Sequence, residues 1–212
     1  NINMNLGLEP ILEFCKRTAL DAGKILMKYY DTNLKIETKD TPNNLVSKAD
    51  LESEEFIKKQ LHKKYPDYTI LAEESGYSYD DDSNYTWVID PLDGTTNFLH
   101  SYPIFAVNIG LEYKKKPIIA VTYLPLLNEL FYASEGGGAF LNGMRLSVTS
   151  KSEIKKSLIA TGFPPDRASR DFKIAVENYR KVLVETHGLR RSGSAAADLA
   201  YVAAGRLDGF FE

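Results

Sequence analysis

Trp87-Val88-Ile89-Asp90-Pro91-Leu92-Asp93-Gly94-Thr95-Thr96-Asn97-Phe98 is the stretch on which the reading of this 212-residue chain turns. Trp87, Val88 and Ile89 form an apolar run with strand character. The strand is expected to end at Asp90, because Pro91 has no N–H to give a sheet ladder. Asp93 then falls on a turn, and Gly94 lets backbone come close to a ligand. Thr95 is read as opening a short helix whose free N–H groups favour an anion. Two carboxylates thus meet beside a phosphate-sized backbone pocket. Hard oxygen donors of this kind suit magnesium, which keeps several waters and binds phosphate oxygens. Taken alone, Asp93-Gly94 reads as an ordinary turn; it is the whole string that carries the chemistry.

Upstream, Leu8, Ile11, Leu12, Cys15, Ala19, Ala22 and Leu26 recur at three- and four-residue steps, predicting an amphipathic helix over 8–30. Cys15 belongs to that stripe and is read as core rather than catalytic. A turn is expected at Thr41-Pro42-Asn43-Asn44. A second helix starts near Asp50, with glutamates early and lysines late as the helix dipole favours, and Pro66 ends it. Strands are expected over 68–72 and 86–89, with the acidic loop 80–82 solvated between them.

Downstream, strands are predicted over 105–113, 118–123, 129–134 and 138–141, with Asn142-Gly143 as a hairpin turn. Gly136-Gly137-Gly138 lacks the Gly-Lys-Ser/Thr of a phosphate loop and is read as a turn. Helices follow over 171–186 and 194–204, the latter capped by Gly205. A last strand begins at Leu207. Helices, then many strands, then alternating helix and strand argue for an α/β protein of layered α+β type with a largely antiparallel first sheet.

Composition is that of a globular protein: 43% hydrophobic, 26% charged and a formal net charge of -3. There is no clustered basic face, so no nucleic-acid partner is expected. One cysteine excludes an internal disulfide and a cysteine zinc site. No long apolar run or signal peptide is visible, so no membrane partner and a cytoplasmic location are expected.

The string 87–98 closely resembles the first signature of the inositol monophosphatase family, and its Thr96-Asn97-Phe98 ending resembles the inositol phosphatase branch of bacterial members. Ala72-Glu73-Glu74-Ser75 is similar to the family's upstream glutamate motif, and 44–50 to its earlier segment ending in an aspartate. The stretch 136–143 resembles its Gly-rich hairpin, and 190–196 and 205–212 its later half. The likeness runs from Leu8 to Glu212. It implies an αβαβα sandwich, a homodimer, and hydrolysis of a small phosphate monoester, most nearly myo-inositol monophosphate, with two or three Mg2+ ions. It also implies sensitivity to lithium. Fructose bisphosphate, histidinol phosphate and NADP phosphate are alternative substrates. A catalytically weak regulatory or binding protein on the same fold is the reading from another class.

Carried over residue by residue, the resemblance implies that Glu73, Asp90 and the carbonyl of Leu92 hold one ion, and Asp90 and Asp93 a second. The tips of Glu73, Asp90 and Asp93 are expected in one cation-sized site. Glu73 and Thr95 would activate the water, and the N–H groups of Gly94 and Thr95 would hold phosphate. Asp50 would hydrogen-bond near Thr95, although an N-cap role is equally open. Lys39 would lie on a loop closing over the site, and Ala195 and Glu212 would contact sugar hydroxyls. Glu212 ends the chain and is open to having no role, while Arg190 and Arg191 are open to being a solvated face or a subunit contact.

Two parts are expected, 1–145 with the large sheet and the metal and phosphate site, and 146–212 as the start of a truncated C-terminal α/β part. Family members carry a further Trp-Asp signature beyond this point, so the fold is expected to be incomplete, with the strand 207–212 lying inside a sheet.

Overall fold

Residues 5–30, 37–38, 45–46, 48–78 and 83–212 are described by the computed structural model. Helix α1 (Asn5–Tyr29) buries the stripe Leu8, Leu12, Cys15, Ala19, Ala22 and Leu26 that its spacing predicts. A short antiparallel pair, β1 (Glu37–Thr38) and β2 (Leu45–Val46), precedes α2 (Lys48–Lys64). The helix starts two residues before Asp50, so Asp50 is not its N-cap. It lies in the first turn among Ala49, Ser53, Glu54, Ile57 and Leu61, all buried. The expected turn at 41–44, the loop at 80–82 and Lys39 lie outside the described residues.

Next come β3 (Thr69–Ala72), β4 (Gly76–Ser78) and β5 (Tyr85–Asp93), then the single-turn helix α3 (Thr95–Leu99). Strands β6 (Ala106–Tyr113), β7 (Lys116–Leu124), β8 (Glu129–Ser134), β9 (Gly138–Leu141) and β10 (Met144–Arg145) follow. Among the described residues these form one eight-stranded sheet, ordered β10-β9-β8-β7-β6-β5-β3-β4. All its pairs are antiparallel except β3 with β5. Trp87, Ile89, Val107, Ile109, Leu111, Ile119 and Val121 point into the core under α1 and α2, at the two-residue period by which a strand sends alternate side chains to one face. Helix α1 covers β6, β7 and β8 and packs on α2. Gly23 lets it sit close: a Cβ there would stand 2.5 Å from the Tyr123 ring.

One expectation is corrected. Strand β5 does not stop at Asp90 but runs through Pro91 to Asp93. Asp90 pairs with Asn108, the register then shifts, and pairing resumes at Asp93 with Ala106. Pro91 falls inside that irregularity, where no ladder donor is required, and such a bulge re-aims the side chains beside it.

The second sheet is built from β11 (Leu158–Thr161), β12 (Gly188–Arg190) and β13 (Gly209–Phe211), all parallel and ordered β12-β11-β13. Helix α4 (Arg170–Glu185) packs on β12, its N-terminus capped by Ser169. Helix α5 (Ala195–Ala203) is capped by Ser194 and followed by Gly205 at φ 68°. That left-handed angle favours glycine after a helix end. Strand β13 was expected inside a sheet; among the described residues it is an edge, paired only with β11. Helix α5 lies between the sheets, touching β6, β7, β11 and β13. Among the described residues no helix is long and apolar enough to cross a membrane.

Candidate active site

Parallel pairing sets Ala72 beside Ile89, so the next residue on each strand, Glu73 and Asp90, are neighbours despite their distance in sequence. The Glu73 N–H donates to the Ile89 carbonyl at 3.2 Å. The Asp90 carboxyl lies close enough to those of Glu73 and Asp93 to feel their charges. Burial is the main reason that the Asp90 carboxyl is pushed up to about 9, with the charges of Glu73 and Asp93 adding to it. Its Oδ1 accepts the Leu92 N–H at 3.1 Å, which opposes the shift.

Asp93 stands at the other end of the bulge. Burial pushes its carboxyl up as well, opposed by the Ser194 hydroxyl and the Ala196 and Gly94 N–H groups. Asp93 Oδ2 accepts Ser194 Oγ–H at 2.7 Å and Ala196 N–H at 2.8 Å. Among the described residues no three His, Cys, Asp or Glu side chains are grouped to hold an ion. Asp93 is drawn toward α5 by two donors, and its charge and that of Glu73 are both felt at Asp90.

Gly94 has φ 92°, and an added Cβ would stand 3.0 Å from the Ile104 carbonyl oxygen and 3.4 Å from that of Gly193. Thr95 Oγ1 donates to the Leu92 carbonyl at 3.0 Å. Asn97 Nδ2 donates to the carbonyls of Ile104 at 2.6 Å and Ser192 at 2.8 Å, tying α3 to the loop before α5. Asp50 is 2% exposed, on a helix that packs against β5. Ala195 is the first residue of α5. Glu212 is exposed, its carboxylate lying against Gly162. Beside the site a cleft of about 510 Å³ is lined by Thr96, Phe163, Pro164, Arg167, Tyr179 and Arg191.

The donor set tests whether a divalent cation fits. Two carboxyl groups on neighbouring strands, a third whose charge reaches Asp90 and a backbone carbonyl are all hard oxygen donors. Without a cation, burial and the neighbouring charges make Asp90 hold its proton more tightly than a free carboxyl does. A divalent cation removes that cost, so the residues fit one.

Ser194, Asn97 and Ser192 are site residues that sequence reasoning misses as such. Serine ahead of an apolar helix is a visible N-cap signal, but nothing local announces its bond to Asp93.

The fold and site define a layered α/β protein with an acidic, cation-compatible centre at the end of a bulged strand. The sequence profile of the inositol monophosphatase family matches residues 7–212, and the chain belongs to that family. It is 43% identical over 206 residues to Nus factor SuhB of Escherichia coli strain K12, covering 97% of this chain and 77% of that protein. It is 42% identical over 209 residues to inositol-1-monophosphatase of Mesorhizobium japonicum, covering 98% and 78%. The solved inositol monophosphatase of Anabaena (Nostoc) sp. PCC 7120 superposes with a TM-score of 0.85 at 40% identity, over 96% of this chain and 75% of that one. The name Nus factor SuhB leaves the expectation of no nucleic-acid partner without support.

Proposed function

We propose that the protein is a magnesium-dependent phosphatase of a small phosphate monoester, myo-inositol monophosphate being the first substrate to test. The observation that carries this is the parallel register that sets Glu73 beside Asp90, within reach of Asp93's charge and next to Gly94 and Thr95. Glu73, Asp90 and the Leu92 carbonyl would hold one ion, Asp90 and Asp93 another. Bound magnesium supplies Lewis-acid stabilisation of phosphate and leaving oxygens and a more acidic water.

The chain's own residues would do the rest. The Gly94 and Thr95 N–H groups receive phosphate oxygens, where the lack of a Cβ at Gly94 leaves the backbone open. Thr95 Oγ1, held on the Leu92 carbonyl, and Glu73 orient the attacking water, Glu73 taking its proton. Asp50 supports Thr95 from α2. Ala195 and Glu212 meet substrate hydroxyls. Neither cysteine nor histidine is required, and hydrolysis proceeds without a covalent phosphoenzyme. A cytoplasmic homodimer belongs to the same reading.

The name of the SuhB relative favours a second reading, a regulatory or binding protein on this fold. Phosphate release separates the two. Purified protein is assayed with and without Mg2+ on myo-inositol 1-phosphate, fructose 1,6-bisphosphate, histidinol phosphate and NADP. Magnesium-dependent, lithium-inhibited turnover of the inositol ester, lost in a folded Asp93→Asn variant, is expected. A folded protein that releases no phosphate from any of them sinks the phosphatase reading.

A further inference from the structure

We infer that Ser194 is a positioning residue for Asp93, and that through it helix α5 sets how tightly the acidic site takes a divalent cation. The inference rests on the metal-dependent reading above. Ser194 is 1% exposed. A serine hydroxyl has one proton to donate, and here it goes to Asp93 Oδ2 at 2.7 Å. The same oxygen atom of Ser194 accepts the Ala197 N–H at 3.3 Å, the N-cap bond of α5. The cap bond occupies the acceptor side, so the proton is left pointing at Asp93.

The neighbours hold this arrangement still. Ser194 N–H donates to Ser192 Oγ at 3.1 Å, and Ser192 Oγ–H donates to the Ser194 carbonyl at 3.1 Å. Asn97 fixes the Ser192 carbonyl from α3. The Ala196 N–H adds a second donor on Asp93 Oδ2. One carboxylate oxygen, Oδ2, is therefore held by two donors from the start of α5. A carboxylate fixed in this way loses no rotamer freedom when a cation arrives, and partners of this kind commonly govern metal affinity about 10- to 100-fold.

A purely structural cap makes a different prediction. Glycine caps a helix N-terminus nearly as well as serine but has no hydroxyl for Asp93. Ser194→Gly and Ser194→Thr are titrated with Mg2+ by calorimetry without substrate, after thermal melts in chelator confirm folding. The expected result is Mg2+ binding about 10-fold weaker or worse in Ser194→Gly, with Ser194→Thr near the parent protein. Parent-like affinity in folded Ser194→Gly overturns the inference, as does a Thr variant as weak as the Gly one. A parent protein that binds no Mg2+ overturns the metal reading itself, and this inference with it.

Discussion

Glu54, 5% exposed within α2, accepts the Glu74 N–H through Oε2 at 3.1 Å. Lys58, 3.9 Å from the other oxygen of Glu54, donates to Ser75 Oγ at 2.7 Å. The turn that carries Glu73 is thereby pinned to α2 on both sides. Glu54→Ala leaves a partly buried N–H without that acceptor, an effect of about 1–3 kcal/mol. Denaturant unfolding is expected to show a lower midpoint with an unchanged slope. An unmoved midpoint would mean that the turn is held by other contacts.

The Asp90 carboxyl, raised from 3.8 to about 9, makes the metal-free protein sensitive to base. Through that window the folded chain keeps a proton that the unfolded chain has lost. The Asp90 contribution is therefore fully present below 3.8 and falls as pH rises toward about 9, by at most about 1.4 kcal/mol per pH unit for one proton. Melting in chelator is expected to show Tm declining from about pH 5 to about pH 9, and Asp90→Asn to flatten the decline. Added Mg2+ should raise Tm more at the alkaline end, where protons no longer compete with the cation. A Tm that rises between about pH 5 and about pH 9 in chelator would contradict this.

Gly94→Ala is expected to abolish phosphate release and lower Tm. Its φ of 92° is strained for any L side chain, and the new methyl would press on the Ile104 carbonyl oxygen 3.0 Å away. The backbone cost is about 1–3 kcal/mol. Turnover and melting measured together check it; a fully active variant would show that the backbone at 94 does not approach the phosphate.

Asp208 ties the second sheet together, accepting the Leu158 N–H at 2.7 Å and Lys151 Nζ at 3.0 Å. The Leu158 N–H, then the Lys151 and Thr149 side chains, hold its carboxyl below the ordinary range. Its contribution is present above the unfolded value of 3.8 and is lost as pH falls through the lower folded value. Asp208→Asn is expected to remove an acid limb from the stability profile, which unfolding at a series of low pH values would reveal. An unchanged acid limb would show that the ion pair adds nothing.

The run from β6 to β9 is legible in sequence because local rules suffice there. Alternation and the Asn142-Gly143 turn place β8 and β9 with the bounds observed. The path of β5 is not legible, since Pro91 reads as a break until its pairing with β6 shows the register shift it occupies. Asp50 misleads for a related reason. Asp before an apolar run reads as a cap, but α2 presents Asp50, Ser53 and Glu54 inward, and a polar stripe facing inward has no periodic signature. The acidic pair of Glu73 and Asp90 comes from parallel register, and the Ser194–Asp93 bond joins residues 101 positions apart. Both are tertiary facts. The family resemblance could name these carboxylates, but not which oxygen of Asp93 faces α5.

The inward-facing indole of β5 turns the molecule into its own optical instrument. Trp87 is the single tryptophan of the chain and is fully buried. Ring centroids of Tyr65 and Tyr68 lie 5.5 and 6.1 Å from it, and Tyr68 in turn stacks on Tyr85 at 4.5 Å. Light absorbed by these phenols is within easy transfer distance of one emitter. That emitter rides on the strand that delivers Asp90 and Asp93, so its fluorescence follows the site-bearing strand without a label or a second tryptophan to confuse the signal.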